Sequence, residues 1–256
     1  MTRSPHRSPD PHSAAGPAGN VLLRSLPDVE LGRIERDLEP VDLPRPTVLD
    51  RADAEIEFVY FPTSGIASVV AVGSNGEMVD TTMIGREGMT GLAVFLGTGQ
   101  MPVNTIVQVH LTGFRLPAAR LRDELERGGL LVNLLQRYTQ VVMVSMAQLI
   151  LCNRAHRLDE RAARWLLQVD ERVDEVPFEV TQEFLAEMIG VQRPSVSLAV
   201  KQFRDEGLIS YSRGRVTVVD RDGLSARACG CIEIMHAEEA RLARTAERYH
   251  LGTPAA

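Results

Sequence analysis

Between residues 181 and 215 the sequence carries a run of amide, hydroxyl and guanidinium side chains. An arginine can donate two hydrogen bonds to one base edge, and hydroxyl and amide groups can bond to bases or phosphates. The candidate contacts to DNA are Thr181, Gln182, Gln192, Arg193, Ser195, Ser197, Lys201, Arg213 and Arg215. For three of them, Ser195, Ser197 and Lys201, an ordinary solvated helix surface is the alternative.

The residues around these side chains are spaced as in a helix-turn-helix. Thr181 is a good N-cap for a first helix, in which Ala186 is small enough for a close helix crossing. Gly190 would end that helix, because glycine enters the left-handed conformation at no steric cost. The inner face of a second helix would consist of Val196, Ala199, Val200 and Phe203. The polar outer face, which begins at Gln192 and Arg193, is the end that would enter a major groove.

Two short strand-like runs, 207–212 and 216–219, follow the second helix and are joined by Arg213-Gly214-Arg215. Such a tight turn would bring two cations to the DNA phosphates. Any helical hairpin can imitate part of a helix-turn-helix, so the basic hairpin at this distance adds specificity. The segment therefore predicts a winged helix-turn-helix that binds double-stranded DNA.

Upstream of this segment, residues 130–152 predict one long helix. Apolar residues recur at steps of three and four over about six turns, counted at 3.6 residues each. Val144, Ile150 and Leu151 widen the apolar stripe beyond a single face. Because such a helix needs two partners, we predict a homodimer formed through the 130–152 helix. The alternative is a central helix in the core of a monomer.

Residues 21–118 are mostly strand-like. A short helix is predicted from Asp28, with Leu31, Ile34 and Leu38 at helical spacing. Strand patterns follow, and they cover residues 56–60, 66–72, 78–84 and 105–111. Residues 73–76, Gly-Ser-Asn-Gly, are a hairpin signal. Short strands at roughly ten-residue spacing predict a small barrel or roll.

The two ends of the chain differ in composition. Residues 1–20 are rich in Pro, Ser, Ala and Gly and are predicted to be disordered, because they cannot offset their ordering entropy. Leu224 to Leu251 predicts an amphipathic helix to which we assign no function.

Composition limits the function classes. The net charge of −6 over 256 residues excludes a globally basic coat, although a local basic surface is compatible with it. Three cysteines exclude a disulfide scaffold and indicate a reducing compartment. The absence of an apolar segment near residue 1, and of any run of about 20 apolar residues, predicts a cytoplasmic protein without membrane contact.

Catalytic and metal signatures are also missing from the sequence. It shows no nucleophile–base spacing and no phosphate-binding loop, so we expect no enzyme, no catalytic residue and no cofactor. Cys229-Gly230-Cys231 could form a redox pair or half of a metal site, but without partners nearby in sequence we expect plain thiols and no metal.

The order of these segments resembles the CRP/FNR superfamily of transcription regulators. The resemblance covers about residues 21–220 and is closest at Thr181, Gly190, Arg193, Val196 and the wing. It implies an α+β fold with an N-terminal β-roll, a cyclic-nucleotide-binding-like double-stranded β-helix. A long dimerisation helix and a C-terminal winged helix-turn-helix would follow. The expected parts are a tail (1–20), a roll (21–118), a dimerisation region (119–155), a DNA-binding domain (156–222) and a helical tail (223–256).

The resemblance also implies partners. The residue of the family that matches Arg193 reads a guanine edge, and a second copy of the chain would let two recognition helices read a pseudo-palindromic operator. RNA polymerase is a further candidate partner. Pro194 stands where the cyclic-AMP-binding member has a glutamate, and Leu198 could touch only a thymine methyl. The operator should therefore differ from that of the best-known member.

The expected effector site departs from the family pattern. The candidate residues are Arg86, Glu87, Gly88 and Met89, in a Gly-rich stretch that resembles the phosphate-binding cassette. Depending on the alignment, Met89 or Arg86 takes the position of the glutamate that binds ribose, and Pro102 and Val103 replace the Arg-Ser pair that binds phosphate. We therefore expect a degenerate domain that does not bind cyclic AMP in the usual way. Arg86 is either an anion ligand or a surface arginine.

The main hypothesis is a regulator whose roll senses an unknown signal. The alternatives are a small-molecule sensor whose DNA binding is secondary, and a constitutive DNA binder.

Overall fold

The computed structural model describes residues 16–74 and 78–250, with side chains described as far as residue 245. Residues 1–15 of the expected tail lie outside the described part. The fold is α+β, as predicted. The strands are β1 (Glu39–Leu43), β2 (Val48–Asp50), β3 (Phe58–Val72), β4 (Met78–Ile84), β5 (Asn104–Pro117), β6 (Phe178–Glu179), β7 (Ile209–Ser212) and β8 (Arg215–Val218). The helices are α1 (Val21–Arg24), α2 (Asp28–Ile34), α3 (Leu92–Phe95), α4 (Ala118–Arg127), α5 (Leu130–Ala155), α6 (Leu158–Asp170), α7 (Gln182–Met188), α8 (Arg193–Asp205), α9 (Arg221–Arg227) and α10 (Cys231–His250).

The N-terminal sheet is antiparallel, with the strand order β1-β5-β3-β4 and β2 paired to β5. β3 pairs with β4 from Ala67 to Val72, which confirms the predicted hairpin, although its turn residues 75–77 lie outside the described part. The strands predicted at 56–60 and 66–72 are one continuous strand, because β3 pairs with β5 throughout, with register shifts between Pro62 and Ala67. Gly65 has φ +87° at these shifts, where a Cβ would lie 2.0 Å from the carbonyl oxygen of His110.

The last residues of the expected disordered tail are ordered. Pro17–Gly19 form a 3₁₀ turn, and Asn20 is fully buried. The side-chain amide of Asn20 donates to the carbonyls of Pro62 (2.9 Å) and Gly88 (2.8 Å), and its oxygen caps α1. The composition of residues 1–20 predicts disorder for the whole segment and does not indicate that Asn20 is connected to the roll by hydrogen bonds.

The predicted long helix is present as α5. A buried carboxylate from α2 holds its N-terminus, because Glu30 accepts hydrogen bonds from the amides of Leu130 (3.0 Å) and Leu131 (3.1 Å). A negative charge at this end also favours the helix dipole. The buried face of α5, which includes Leu134 and Tyr138, packs with α4 and the roll in one apolar core.

The C-terminal tail forms two helices, α9 and α10, instead of the single helix predicted from Leu224 to Leu251. α10 packs along α5. Leu242 is fully buried in the same apolar cluster as Tyr138 and Val141, and Gln140 donates to Glu238 at 3.2 Å. One face of α5 is therefore covered by the chain's own C-terminal segment.

A second core lies between α6, α7, α8 and the wing strands. Its aromatic centre is Trp165, which meets Phe184 edge-on with ring centroids 6.0 Å apart. Ile66 and Val109 of the roll belong to the same cluster, so the roll packs directly against this C-terminal unit. Among the described residues, no helix is long and apolar enough to cross a membrane.

Candidate nucleic-acid interface

The helix-turn-helix has the local geometry that its sequence predicts. The hydroxyl of Thr181 caps α7 by accepting a hydrogen bond from the amide of Phe184 at 3.1 Å. Gly190 has φ +65°, the left-handed conformation expected after the first helix. Ala186 and the four inner-face residues of α8 are buried. α8 is therefore fixed by its apolar side, with its polar side turned outward.

The outward side of α8 carries the groups expected to meet DNA. Gln192, Arg193, Ser195 and Lys201 are exposed, and the side chain of Leu198 is 71% exposed. Within the described part of the chain, Arg193 and Lys201 have no ion-pair or hydrogen-bond partner for their side-chain cations. Lys201 is the only lysine in the sequence. An outward helix face with two free cations suits a negatively charged groove.

Two of the predicted contact residues also hold the two helices together. The hydroxyl of Ser197 donates to the side-chain oxygen of Gln182 at 2.6 Å and lies 3.1 Å from the carbonyl oxygen of Arg193. Gln182 is in the first turn of α7, so this bond links α7 to α8. A direct contact of Ser197 with DNA would compete with this bond.

The wing is a two-residue hairpin. Arg213 and Gly214 have φ +50° and +77°, as a type I′ turn requires at both central positions. Arg213 and Arg215 are exposed, and Arg215 donates to the carbonyl of Pro177 at 3.2 Å. The turn therefore presents both cations on the surface next to the helix-turn-helix.

Contacts with the roll hold α7 in place. The guanidinium of Arg45 lies 3.6 Å from the ring centroid of Phe184, and burial lowers the pKa of Arg45. The amide of Gln108 is 2.6 Å from the sulfur of Met188. These contacts use the side of α7 that faces the roll and leave the outer face of α8 exposed.

The fold is shared with known regulators. A CRP/FNR-family regulator from Eubacterium rectale superposes with a TM-score of 0.62 at 18% identity, covering 82% of this chain and 98% of that one. A CRP-family regulator from Thermus thermophilus gives 0.57 at 21% identity, covering 73% and 96%.

Comparisons of the sequence also find similarity to CRP-like regulators. The Crp-like helix-turn-helix domain matches residues 160–227. The CRP-like cAMP-activated global transcriptional regulator of Mycobacterium tuberculosis is 25% identical over 218 residues, which cover 81% of this chain and 96% of the relative. The chain contains a Crp-like helix-turn-helix domain and is similar to CRP/FNR regulators over most of its length. It is a DNA-binding transcription regulator, and the relatives are regulators rather than enzymes.

In the present structure, the residues expected at the effector site contact other protein groups. Arg86 pairs with Asp174 at 2.6 Å, and Met89 is fully buried with its carbonyl accepting the hydroxyl of Tyr138 at 3.0 Å. At Gly88 a Cβ would lie 2.2 Å from the Tyr138 ring. The Gly-rich stretch is therefore packed against α5 and the segment after α6.

Arg172, which the sequence analysis missed, lies at the centre of this packing. Its Nε lies 3.1 Å from Glu87, without hydrogen-bond alignment, and its other nitrogens lie 2.6 Å from Glu239 and 3.7 Å from Glu171. Burial alone would lower the pKa of Arg172, but the surrounding carboxylates, led by Glu87, outweigh burial and raise it. No local motif marks Arg172, because its two close partners, Glu87 and Glu239, come from distant parts of the chain.

The space between the Gly-rich stretch and α5 is nearly filled. A cavity of about 20 Å³ lined by Glu87, Tyr138 and Arg172 holds roughly one water molecule. On its outer side, an open groove of about 330 Å³ is lined by Arg86, Arg172 and His236, among others. The enclosed space is too small for a nucleotide in this conformation.

The structure brings two groups that are distant in sequence next to Cys229 and Cys231. Cys152 and His156 lie beside Cys229 and Cys231, although they come more than 70 residues earlier in the chain. The hydrogen bond from Cys229 lowers the pKa of the Cys152 thiol, and the charge of Arg164 acts in the same direction. Within the described residues, these four form the one group of His, Cys, Asp and Glu side chains that could hold a metal ion.

Proposed function

We propose that the chain is a homodimeric, sequence-specific transcription regulator that binds a pseudo-palindromic operator. The observation that supports this most directly is the outward face of α8, with the unpaired cations of Arg193 and Lys201 beside the basic wing turn in the described part of the chain. Arg193 stands in the first turn of α8, the end that enters the major groove in this motif. Contact with RNA polymerase stays a prediction.

The proposed base readout follows from the types of the exposed side chains. Arg193 would bind guanine through its O6 and N7 atoms, a contact that discriminates by roughly 1–3 kcal/mol. Pro194 offers no hydrogen bond, and Leu198 can contact only a thymine methyl. Lys201, Arg213 and Arg215 would bind phosphates, which adds affinity with little sequence preference.

The proposed dimer contact is a stripe of exposed residues along α5, of which Gln140 also donates to Glu238 of α10. Its exposed residues recur at alternating steps of three and four, and they are Asn133, Gln136, Gln140, Met143, Ala147, Ile150 and Arg154. This is the spacing of a two-stranded coiled coil. Met143 is 65% exposed and Ile150 is 73% exposed, and both would be buried by a second copy. The stripe differs from the apolar positions Leu134, Tyr138 and Val141, which pack within the chain.

We further propose that cyclic AMP does not bind in the Gly-rich stretch as it would in a typical relative. The M. tuberculosis relative is named as a cAMP-activated protein. In the present chain, Arg172 neutralises Glu87 where a ligand would lie, and the enclosed cavity holds about one water. This favours DNA binding without an effector. The open groove beside His236 supports the second candidate, a sensor for another small molecule.

The proposal is tested by selecting genomic DNA fragments with the purified protein and no added ligand. We expect an enriched palindrome, which Arg193→Ala binds about 30- to 25,000-fold more weakly, the equivalent of 1–3 kcal/mol for each of the two lost contacts. Arg51→Ala, which removes an exposed arginine from the roll, is the control and should bind like the wild type. Enrichment that requires a metabolite extract would support the sensor instead. No enrichment under either condition would overturn the sequence-specific regulator.

The dimer contact is tested by light scattering after gel filtration. Ile150→Glu would place an unpaired charge in the interface, so we expect a monomer that binds the palindrome poorly. Leu96→Glu alters a similarly exposed apolar residue of the roll and should stay dimeric. A wild-type protein that is monomeric at all concentrations, or a dimeric Ile150→Glu variant, would refute this contact.

A further inference from the structure

Four side chains with metal-binding atoms meet where α5 ends and α10 begins. Cys152 is in the last turn of α5, and His156 directly follows this helix. Cys229 precedes α10, and Cys231 is its first residue. The three cysteines are at most 4% exposed, and His156 is partly buried. These are all the cysteines in the chain, and all are free of disulfides.

The distances within the group match a tetrahedral site. The sulfurs of Cys152 and Cys229 are 3.4 Å apart, and the sulfur of Cys231 is 3.5 Å from Nδ1 of His156. All four ligand atoms lie within 4.8 Å of one another. Zinc bonds of about 2.3 Å to sulfur and 2.0–2.1 Å to nitrogen place tetrahedral ligands roughly 3.6–3.8 Å apart. Small movements of the side chains would therefore close the site.

The surrounding charges favour an anionic centre. Arg161 and Arg164 are buried at 9% and 3% exposure, and each leaves its Nε without a hydrogen-bond partner among the described residues. Both interact electrostatically with Cys152. Asp80 is another charged group near Arg164. A Zn²⁺ ion with three thiolates and a neutral imidazole has a net charge of −1, which these arginines would balance.

The alternatives account for less of the arrangement. A disulfide between Cys152 and Cys229 would need a separation of about 2.05 Å and would leave Cys231 and His156 unexplained. Plain buried thiols need neither a histidine nitrogen at 3.5 Å nor two buried cations nearby.

We propose that Cys152, His156, Cys229 and Cys231 form a structural site for one Zn²⁺ ion per chain. Three thiolates and one imidazole form a closed set of four ligands, the arrangement of structural rather than catalytic zinc. Binding releases three thiol protons and involves no oxidation or reduction.

The position of the site gives it a mechanical role. His156 and Arg157 connect α5 to α6, the first helix of the matched DNA-binding domain. Zinc would fix the start of α10 to this connection and so restrain the pose of the helix-turn-helix relative to α5. Removal of zinc should loosen α10 and lower the melting temperature.

The first experiment measures metal content in full-length protein purified anaerobically with a reductant. We expect one zinc per chain by mass spectrometry of the metal. Replacement by Co²⁺ should give the intense visible bands of a tetrahedral site and near-ultraviolet thiolate-to-cobalt charge transfer. Cys231→Ser and His156→Gln should lose metal affinity by more than about 100-fold, above the range for outer-shell partners. His110→Gln, which changes a half-exposed histidine in the roll, should bind zinc normally.

Several results would overturn the site. The first is that all three thiols react with a thiol reagent and no metal is bound after zinc is supplied. The second is that the protein contains iron in place of zinc. The third is that Cys231→Ser keeps full zinc affinity. If a variant fails to fold, as judged by Trp165 fluorescence, the proposal is tested on the cobalt spectrum of the wild-type protein instead. Its charge-transfer intensity counts the thiolate ligands, and fewer than three would contradict the proposal.

Discussion

Replacing Arg172 with methionine tests whether the ion-pair cluster joins the roll to the DNA-binding domain. The side chain of Arg172 is 5% exposed and lies among Glu87, Glu171 and Glu239. Removing one partner of a buried ion pair costs about 3–5 kcal/mol, because the remaining charges stay buried without compensation. For a chain of this size that loss corresponds to roughly 6–20 °C in melting temperature.

Arg86→Met is the matched control. Arg86 pairs with Asp174, but the two side chains are 32% and 65% exposed, so we expect a loss of only about 0–1 kcal/mol. Urea unfolding can be followed through Trp165, the only tryptophan, which is buried in the core of the DNA-binding domain.

The loss of folding stability in Arg172→Met should also depend on pH. Burial already raises the pKa of Glu239, and Arg172 opposes this shift. Without Arg172, the folded-state pKa of Glu239 rises further above its unfolded value. The native state then binds more protons than the unfolded state, so stability falls as pH rises through this window. The deficit should be smaller at pH 5 than at pH 8. Equal urea midpoints for Arg172→Met and Arg86→Met at pH 8, or a deficit independent of pH, would refute the reasoning.

Three further predictions concern other parts of the chain. Gly88→Ala should destabilise the fold by about 1–3 kcal/mol in the same urea assay, since the new Cβ meets the Tyr138 ring; an unchanged midpoint would contradict this packing. The hydrogen bond to Glu171 raises the pKa of His236 in the folded state above 6.5. This interaction therefore stabilises the fold fully below pH 6.5, and the stabilisation is lost as the pH rises through the folded-state pKa. His236→Gln should remove this pH dependence of stability, and a pH dependence that persists in the variant would belong to another group. Replacing Arg213 and Arg215 with alanine removes four arginines from the proposed dimer and should reduce the salt dependence of DNA binding by about 3.6 in log–log slope; an unchanged slope would exclude wing–phosphate contacts.

The helix-turn-helix could be predicted from sequence because its determinants are local. The cap of Thr181, the left-handed Gly190 and the buried Phe203 act within some twenty residues, and the structure places each as expected. The same holds for α5, whose length follows from its periodicity alone.

The intramolecular ion pairs and the metal-binding group could not be predicted in this way. Arg172 gains its partners only when the roll, α6 and α10 meet, and Cys152 lies 77 residues from Cys229. Neither set of contacts produces a periodic pattern or a characteristic spacing in the sequence. The covering of α5 by α10 is similar, because an amphipathic pattern shows that a face will be buried but not what will bury it.

The packing of α10 along α5 has a consequence during translation. Gln140 and its partner Glu238 are separated by 98 residues, which corresponds to roughly 5–20 s of synthesis. Until α10 leaves the ribosome, the apolar face around Val141 lacks the part of its cover that Leu242 supplies. Nascent chains halted before residue 231 should therefore bind chaperones that recognise apolar segments, and those halted after α10 should not. Equal chaperone capture at both lengths would show that the face is protected without α10.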